Sequence, residues 1–142
     1  MNKRARNFLD YLETNKITCF QTDEIANDAM NTVVFRSHMD VCGAHLQTLV
    51  LCDSTLYTVI RVLVLPGALA CGEEKMRKRI DALNRKYKIL KFYFAENGNL
   101  VLDAVIPSPA GEIDGDMVFT ILDVIIRNLE TEYESIVKPV SQ

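Results

Sequence analysis

Residues 91–106 read KFYFAENGNLVLDAVI. Two runs of aromatic and aliphatic residues flank Asn97-Gly98, which marks a β-hairpin. Two registers compete for it. A two-residue Asn97-Gly98 turn pairs Phe94 with Val101 and Phe92 with Asp103. A three-residue loop, Glu96-Asn97-Gly98, pairs Phe94 with Leu100, Phe92 with Leu102 and Leu90 with Ala104. It also sets Lys91 opposite Asp103 on the other face. The first register buries a carboxylate beside phenylalanine, which is costly unless it is paired. The second gives one wholly apolar face, one mixed face with a Lys91–Asp103 ion pair, and a glycine at the loop's left-handed position. The three-residue loop is therefore preferred, with its apolar face meeting a helix.

Amphipathic segments lie on both sides of the hairpin. GEEKMRKRIDALNRKY (72–87) carries Met76, Ile80, Leu83 and Tyr87 at intervals that hold one stripe on a helix. Glu73 and Glu74 sit in its first turn and basic residues in its last, as the helix dipole favours. After a connector with Pro107, Pro109 and Gly111, residues 116–137 carry Val118, Leu122, Ile125, Leu129, Tyr133 and Ile136 at helical spacing. Asp114 or Asp116 can cap the start, and Pro139 lies just past the end.

The N-terminal half predicts a helix over 3–16, with Phe8, Leu9 and Leu12 on one face and Lys3, Arg4 and Arg6 toward solvent. ITCFQ (17–21) follows as a short strand, and 22–31 as a polar turn or loop. TVVFRSHM (32–39), HLQTLVLC (45–52) and TLYTVIRVLVL (55–65) are strands joined too tightly for anything but antiparallel neighbours. The order is α-β-β-β-β-α-β-β-α, an α+β class with helices packed on an antiparallel sheet, in a single domain over 1–142. Strand 55–65 is apolar on both faces. Either helices cover both, or one face is left for a second copy of the chain or a partner protein. Val59, Arg61, Leu63 and Leu65 are the partner-binding candidates.

The totals narrow the function. The chain has 142 residues, 49% apolar and 25% charged, with a net charge of −3. That balance argues for a globular core and against nucleic acid as the main partner, since phosphate binding wants a basic excess. No apolar run is long enough to span a bilayer, and the basic start MNKRARNFLDYLETNK lacks the apolar core of a signal peptide. A cytoplasmic location follows, with Cys19, Cys42, Cys52 and Cys71 as reduced thiols.

Candidate chemistry is sparse. His38, Cys42, His45 and Cys52 are plausible zinc ligands, but their spacing matches no zinc-finger pattern. Cys42 with either histidine makes a nucleophile–base pair that lacks an orienting third group. A metal-dependent or thiol enzyme centred on His38, Cys42 and His45 is the alternative function. The acid pairs Glu73-Glu74 and Asp114-Asp116 fall at helix starts, where carboxylates cap. Lys75, Arg77, Lys78, Arg79, Arg85 and Lys86 form a solvated helix face without the interleaved aromatics of a single-strand binder. No glycine-rich phosphate loop, HExxH or GxSxG occurs, so no cofactor is expected.

The stretch LNRKYKILKFYFAENGNLVLDAVIP (83–107), followed by a short connector and an amphipathic acidic helix, resembles the YbjN-type bacterial sensory transduction regulators. The pattern is best over 76–137: "LN" near a helix end, an aromatic strand, a glycine turn, an apolar strand and a last helix. The resemblance implies a type III secretion chaperone-like fold, frequent dimerisation, and protein binding rather than catalysis. It supplies no catalytic residue to carry over. The expected function is thus a non-enzymatic protein-binding domain, chaperone-like or regulatory, and a homodimer.

Overall fold

The hairpin adopts the three-residue register in the structure, a computed structural model that describes residues 1–141 and side chains to residue 138. Strands β5 (Lys91–Phe94) and β6 (Leu100–Pro107) pair Phe94 with Leu100, Phe92 with Leu102 and Lys91 with Asp103. The Gly98 amide donates to the Ala95 carbonyl (2.9 Å), and Gly98 takes φ +83°, a conformation that side chains rarely tolerate. Phe92, Leu100, Leu102 and Ala104 are buried together. The ion pair is different from the expected one. Asp103 is buried and its carboxylate goes to Arg61 and Tyr93, while the Lys91 ammonium stands over the Tyr93 ring. A planar guanidinium engages a carboxylate through two bonds at once, which a lysine cannot do.

The preceding elements are α1 (Lys3–Thr14), β1 (Gln21–Glu24), β2 (Val33–Val41), β3 (Ala44–Cys52), β4 (Tyr57–Leu65), a 3₁₀ turn (Ala68–Cys71) and α2 (Glu73–Lys86); α3 (Gly115–Ser141) comes last. The six strands form an antiparallel sheet in the order β1-β2-β3-β4-β6-β5. The meander is as expected, and the hairpin enters with β6 beside β4 and β5 at the edge. Cys42 and Gly43 both have positive φ (50° and 82°), which gives the β2–β3 hairpin its two-residue turn. The first strand departs from expectation. Residues 17–20 are irregular, and pairing starts at Gln21 opposite Arg36. The apolar run serves the core instead: Phe20 packs edge-on against Phe8 and Phe119.

All three helices pack on the same face of the sheet. Phe8 of α1, Met76, Ile80 and Leu83 of α2, and Val118, Leu122, Ile125, Leu129 and Ile136 of α3 share one core with Phe35, Val50, Ile60, Val62 and Leu102. Asp114 caps α3, accepting from the Met117 amide (3.1 Å). The α3 backbone continues through residue 139 to Ser141 rather than stopping before the proline; so near the end of a helix, a proline forfeits few hydrogen bonds. At the β5 edge the Asn84 side chain behaves like a strand. Its amide donates to the Phe92 carbonyl (2.9 Å), and its oxygen accepts from the Phe92 amide (2.7 Å).

Arg4 does not face solvent. It is 1% exposed. Its Nε donates to the Glu112 carbonyl (2.9 Å), and its Nη1 lies 2.6–3.2 Å from the carbonyls of Asp53, Thr55 and Tyr57. Carbonyls at loop ends need donors, and a buried guanidinium supplies several from one side chain. Arg4 therefore ties α1 to the β3–β4 loop and to the segment before α3. Gly115 completes this seat: a Cβ there would stand 2.4 Å from the Tyr11 ring.

Candidate functional site

With every helix on one side, the other face of the sheet carries no element of the described chain. Side chains alternate along a strand, so the strand registers fix who stands beside whom on that face. Val34, Leu51, Val59 and Val105 form one row across β2, β3, β4 and β6. The next row runs Arg36, Leu49, Arg61, Asp103, Lys91. Leu63 stands opposite Val101, and Tyr57 opposite Pro107, at the two ends of the β4–β6 ladder. Leu49, Leu51, Val59 and Leu63 are half-buried; Tyr57 is 49% exposed and Val105 48%. Leu56, 52% exposed, extends the apolar surface beyond Tyr57.

A polar knot lies in the middle of this surface. Arg61 Nε and Nη2 donate to the two oxygens of Asp103 at 2.8 and 2.9 Å, and the Tyr93 hydroxyl donates to Asp103 Oδ2 at 2.9 Å. The hydrogen bond to Asp103 raises the Arg61 pKa further, so the guanidinium is permanently charged. Burial, and then the same carboxylate, push the Tyr93 hydroxyl above the ordinary tyrosine range. Beside the knot, Leu49, Leu63 and Val101 join the β5–β6 turn in walling a notch of about 180 Å³.

Three of the four partner-binding candidates meet here. Val59, Arg61 and Leu63 lie on the open face in consecutive rows. Leu65 does not join them: the ladder slips between Leu63 and Leu65, and Leu65 packs against the core. Of the metal and thiol candidates, the structure brings together His38 and His45 but not the cysteines. His38 and His45 stack with ring centroids 4.2 Å apart, and His45 Nδ1 is 2.7 Å from Asp40 Oδ1. Cys42 lies at the β2–β3 turn with its thiol toward the Glu130 carbonyl. Cys52 is buried in the core on the other face of the sheet, where burial pushes its thiol up to about 12. Among the described residues no three His, Cys, Asp or Glu side chains converge as a metal site.

On the basic helix, Glu73–Arg77, Glu74–Lys78 and Asp81–Arg85 pair along the chain, and Lys86 pairs with Glu132 of α3. Among the described residues no helix is long and apolar enough to cross a membrane. Sequence reasoning missed Val34, Leu51, Tyr57, Tyr93 and Val105. Alternation within each strand carried their signal, but the β4–β6 pairing was needed to join them.

No family model matches the chain, and no curated protein does. Among solved structures it is similar to a chain in the crystal structure of the ExsC–ExsE complex, with a TM-score of 0.56 over 94% of this chain and 96% of that one. The two share a fold. At 13% identity the likeness is one of architecture. It agrees with the α+β element order and with the type III secretion chaperone-like fold that the family resemblance implied.

Proposed function

We propose that the chain is a single, non-enzymatic protein-binding domain, chaperone-like or regulatory, whose open sheet face is covered by protein. The observation that carries this is the row Leu51–Val59–Val105, which ends at the buried Val34, with Leu49, Leu63 and Tyr57 around it, on a face no helix covers. Contiguous apolar surface of this kind marks interaction sites on soluble domains. Arginine and tyrosine at its centre fit as well, because both are enriched where interface energy concentrates. Two similarities support the same reading. One solved structure similar in fold is that of a complex, and the 76–137 pattern resembles sensory transduction regulators.

The covering protein is either a different partner or a second copy in a cytoplasmic homodimer. Sedimentation of the purified chain separates the two, since a monomer at micromolar concentration removes the homodimer. For the partner, immobilised wild-type chain retains a protein from its source-cell lysate that a Tyr57→Asp/Val105→Asp variant loses. Both residues are half-exposed, so the variant folds. Equal retention by the two chains overturns the assignment to this face.

A further inference from the structure

The notch beside Arg61 combines apolar walls with polar groups that are mostly unspent donors; Gln47, which also lines it, brings an amide that can donate or accept. Arg61 spends Nε and Nη2 on Asp103; its Nη1 meets no hydrogen-bond acceptor among the described residues, and the side chain is 40% exposed. Asn97 and Asn99 line the notch from the turn. The Oδ1 of Asn97 accepts from the Asn99 amide (3.1 Å), and the Oδ1 of Asn99 accepts from the Gly67 amide (2.8 Å). Their oxygens are used, and their NH₂ groups are left with no acceptor. What the notch offers a visitor is therefore three sets of donors from Arg61, Asn97 and Asn99, and from Gln47 an amide that can turn its NH₂ inward as a fourth.

The acids nearby do not offset this. Asp103 is 6% exposed with both oxygens engaged. Asp23 is held by Arg36 (2.7 Å), and Asp40 lies 2.7 Å from His45 Nδ1 and is not part of the notch wall. Glu96 is exposed at the turn tip and is not part of the notch wall. Lys91 stands over Tyr93 and makes no ion pair. A surplus of donors over acceptors is complementary to an anion. The volume, about 180 Å³, suits one apolar side chain, since ~150 Å³ already holds a benzene-sized group.

We propose that the notch takes an acidic-apolar segment of a partner protein. An apolar side chain enters between Leu49, Leu63 and Val101, and a neighbouring Asp or Glu carboxylate accepts from Arg61 Nη1 and the two asparagine amides. This rests on the reading of the open face as a protein-binding surface and names the chemistry of its partner.

Three fluorescent ten-residue peptides, blocked at both ends, test it on the full chain. They share a leucine-serine background and place Glu, Gln or Lys next to the central leucine. Fluorescence anisotropy gives tightest binding for the Glu peptide, by about tenfold over Gln and more over Lys, and the margin shrinks with added salt. Asn97→Asp, a substitution at an exposed turn position, erases that preference, while Leu63→Ser weakens all three peptides alike. Binding indifferent to the central charge overturns the acidic partner and leaves protein binding at this face standing. No binding by any peptide overturns it too. If the chain is then a dimer that Leu63→Ser dissociates, a second copy occupies the face.

Discussion

The two faces of the sheet are built from the same strands but hold the molecule together unequally. The helix-covered face is apolar almost throughout, and Phe35, Val50, Ile60, Val62 and Leu102 on it are 0% exposed. Apart from the buried Val34 and Val101, the apolar residues of the open face stand in rows only half-closed by their neighbours, around a satisfied ion pair. Burial stabilises in proportion to the apolar area removed from water, so the first face carries the fold. The second leaves much of its apolar surface facing water.

Substitutions on the two faces should separate stability from binding. Phe8→Ala, at the centre of the aromatic cluster with Phe20, Phe35 and Phe119, costs about 3–5 kcal/mol in urea unfolding. A loss under about 1 kcal/mol would mean that α1 contributes little to the core. Arg4→Met leaves four carbonyls without their donor and costs about 2–3 kcal/mol, although methionine keeps most of the volume.

On the open face, Asp103→Asn costs about 1–3 kcal/mol, less than a fully buried pair because Arg61 is partly in water. The Arg61→Met/Asp103→Leu double variant returns toward wild-type stability, and a double-mutant cycle that finds no coupling would remove the knot as a structural unit. Leu63→Ser costs under about 1 kcal/mol yet weakens peptide binding, and this is the sharpest contrast with Phe8. The smallest effect is a count. Three thiols, Cys19, Cys42 and Cys71, react promptly with a thiol reagent in the native state, and Cys52 reacts only as the chain unfolds. Four equal rates would place Cys52 outside the core.

Local periodicity made much of this legible. The β5–β6 register followed from one glycine and the cost of burying Asp103 beside Phe92. The stripes of α2 and α3 followed from their spacing. What stayed hidden was long-range. Nothing within β6 says that β4 will lie beside it, so the partner of Asp103 read as Lys91, its neighbour in the hairpin, rather than Arg61. Charge on α1 read as solvent-facing because Arg4's acceptors are carbonyls 49–108 positions away. The open face follows from the same cause: which side the helices choose is decided by the assembled sheet. Val59, Arg61 and Leu63 were found because β4 is apolar on both faces, and Leu65 was misplaced by a slip in the ladder that no residue type announces.

Asn84 has a consequence for how such molecules can meet. Its side chain already occupies the outward donor and acceptor of Phe92, so a strand arriving at β5 finds an amide where it needs free backbone. The opposite edge, β1, has no such plug among the described contacts, only four residues that include Asp23 and Glu24. Pairing at the β5 edge must therefore displace one asparagine first, while β1 is guarded by charge alone.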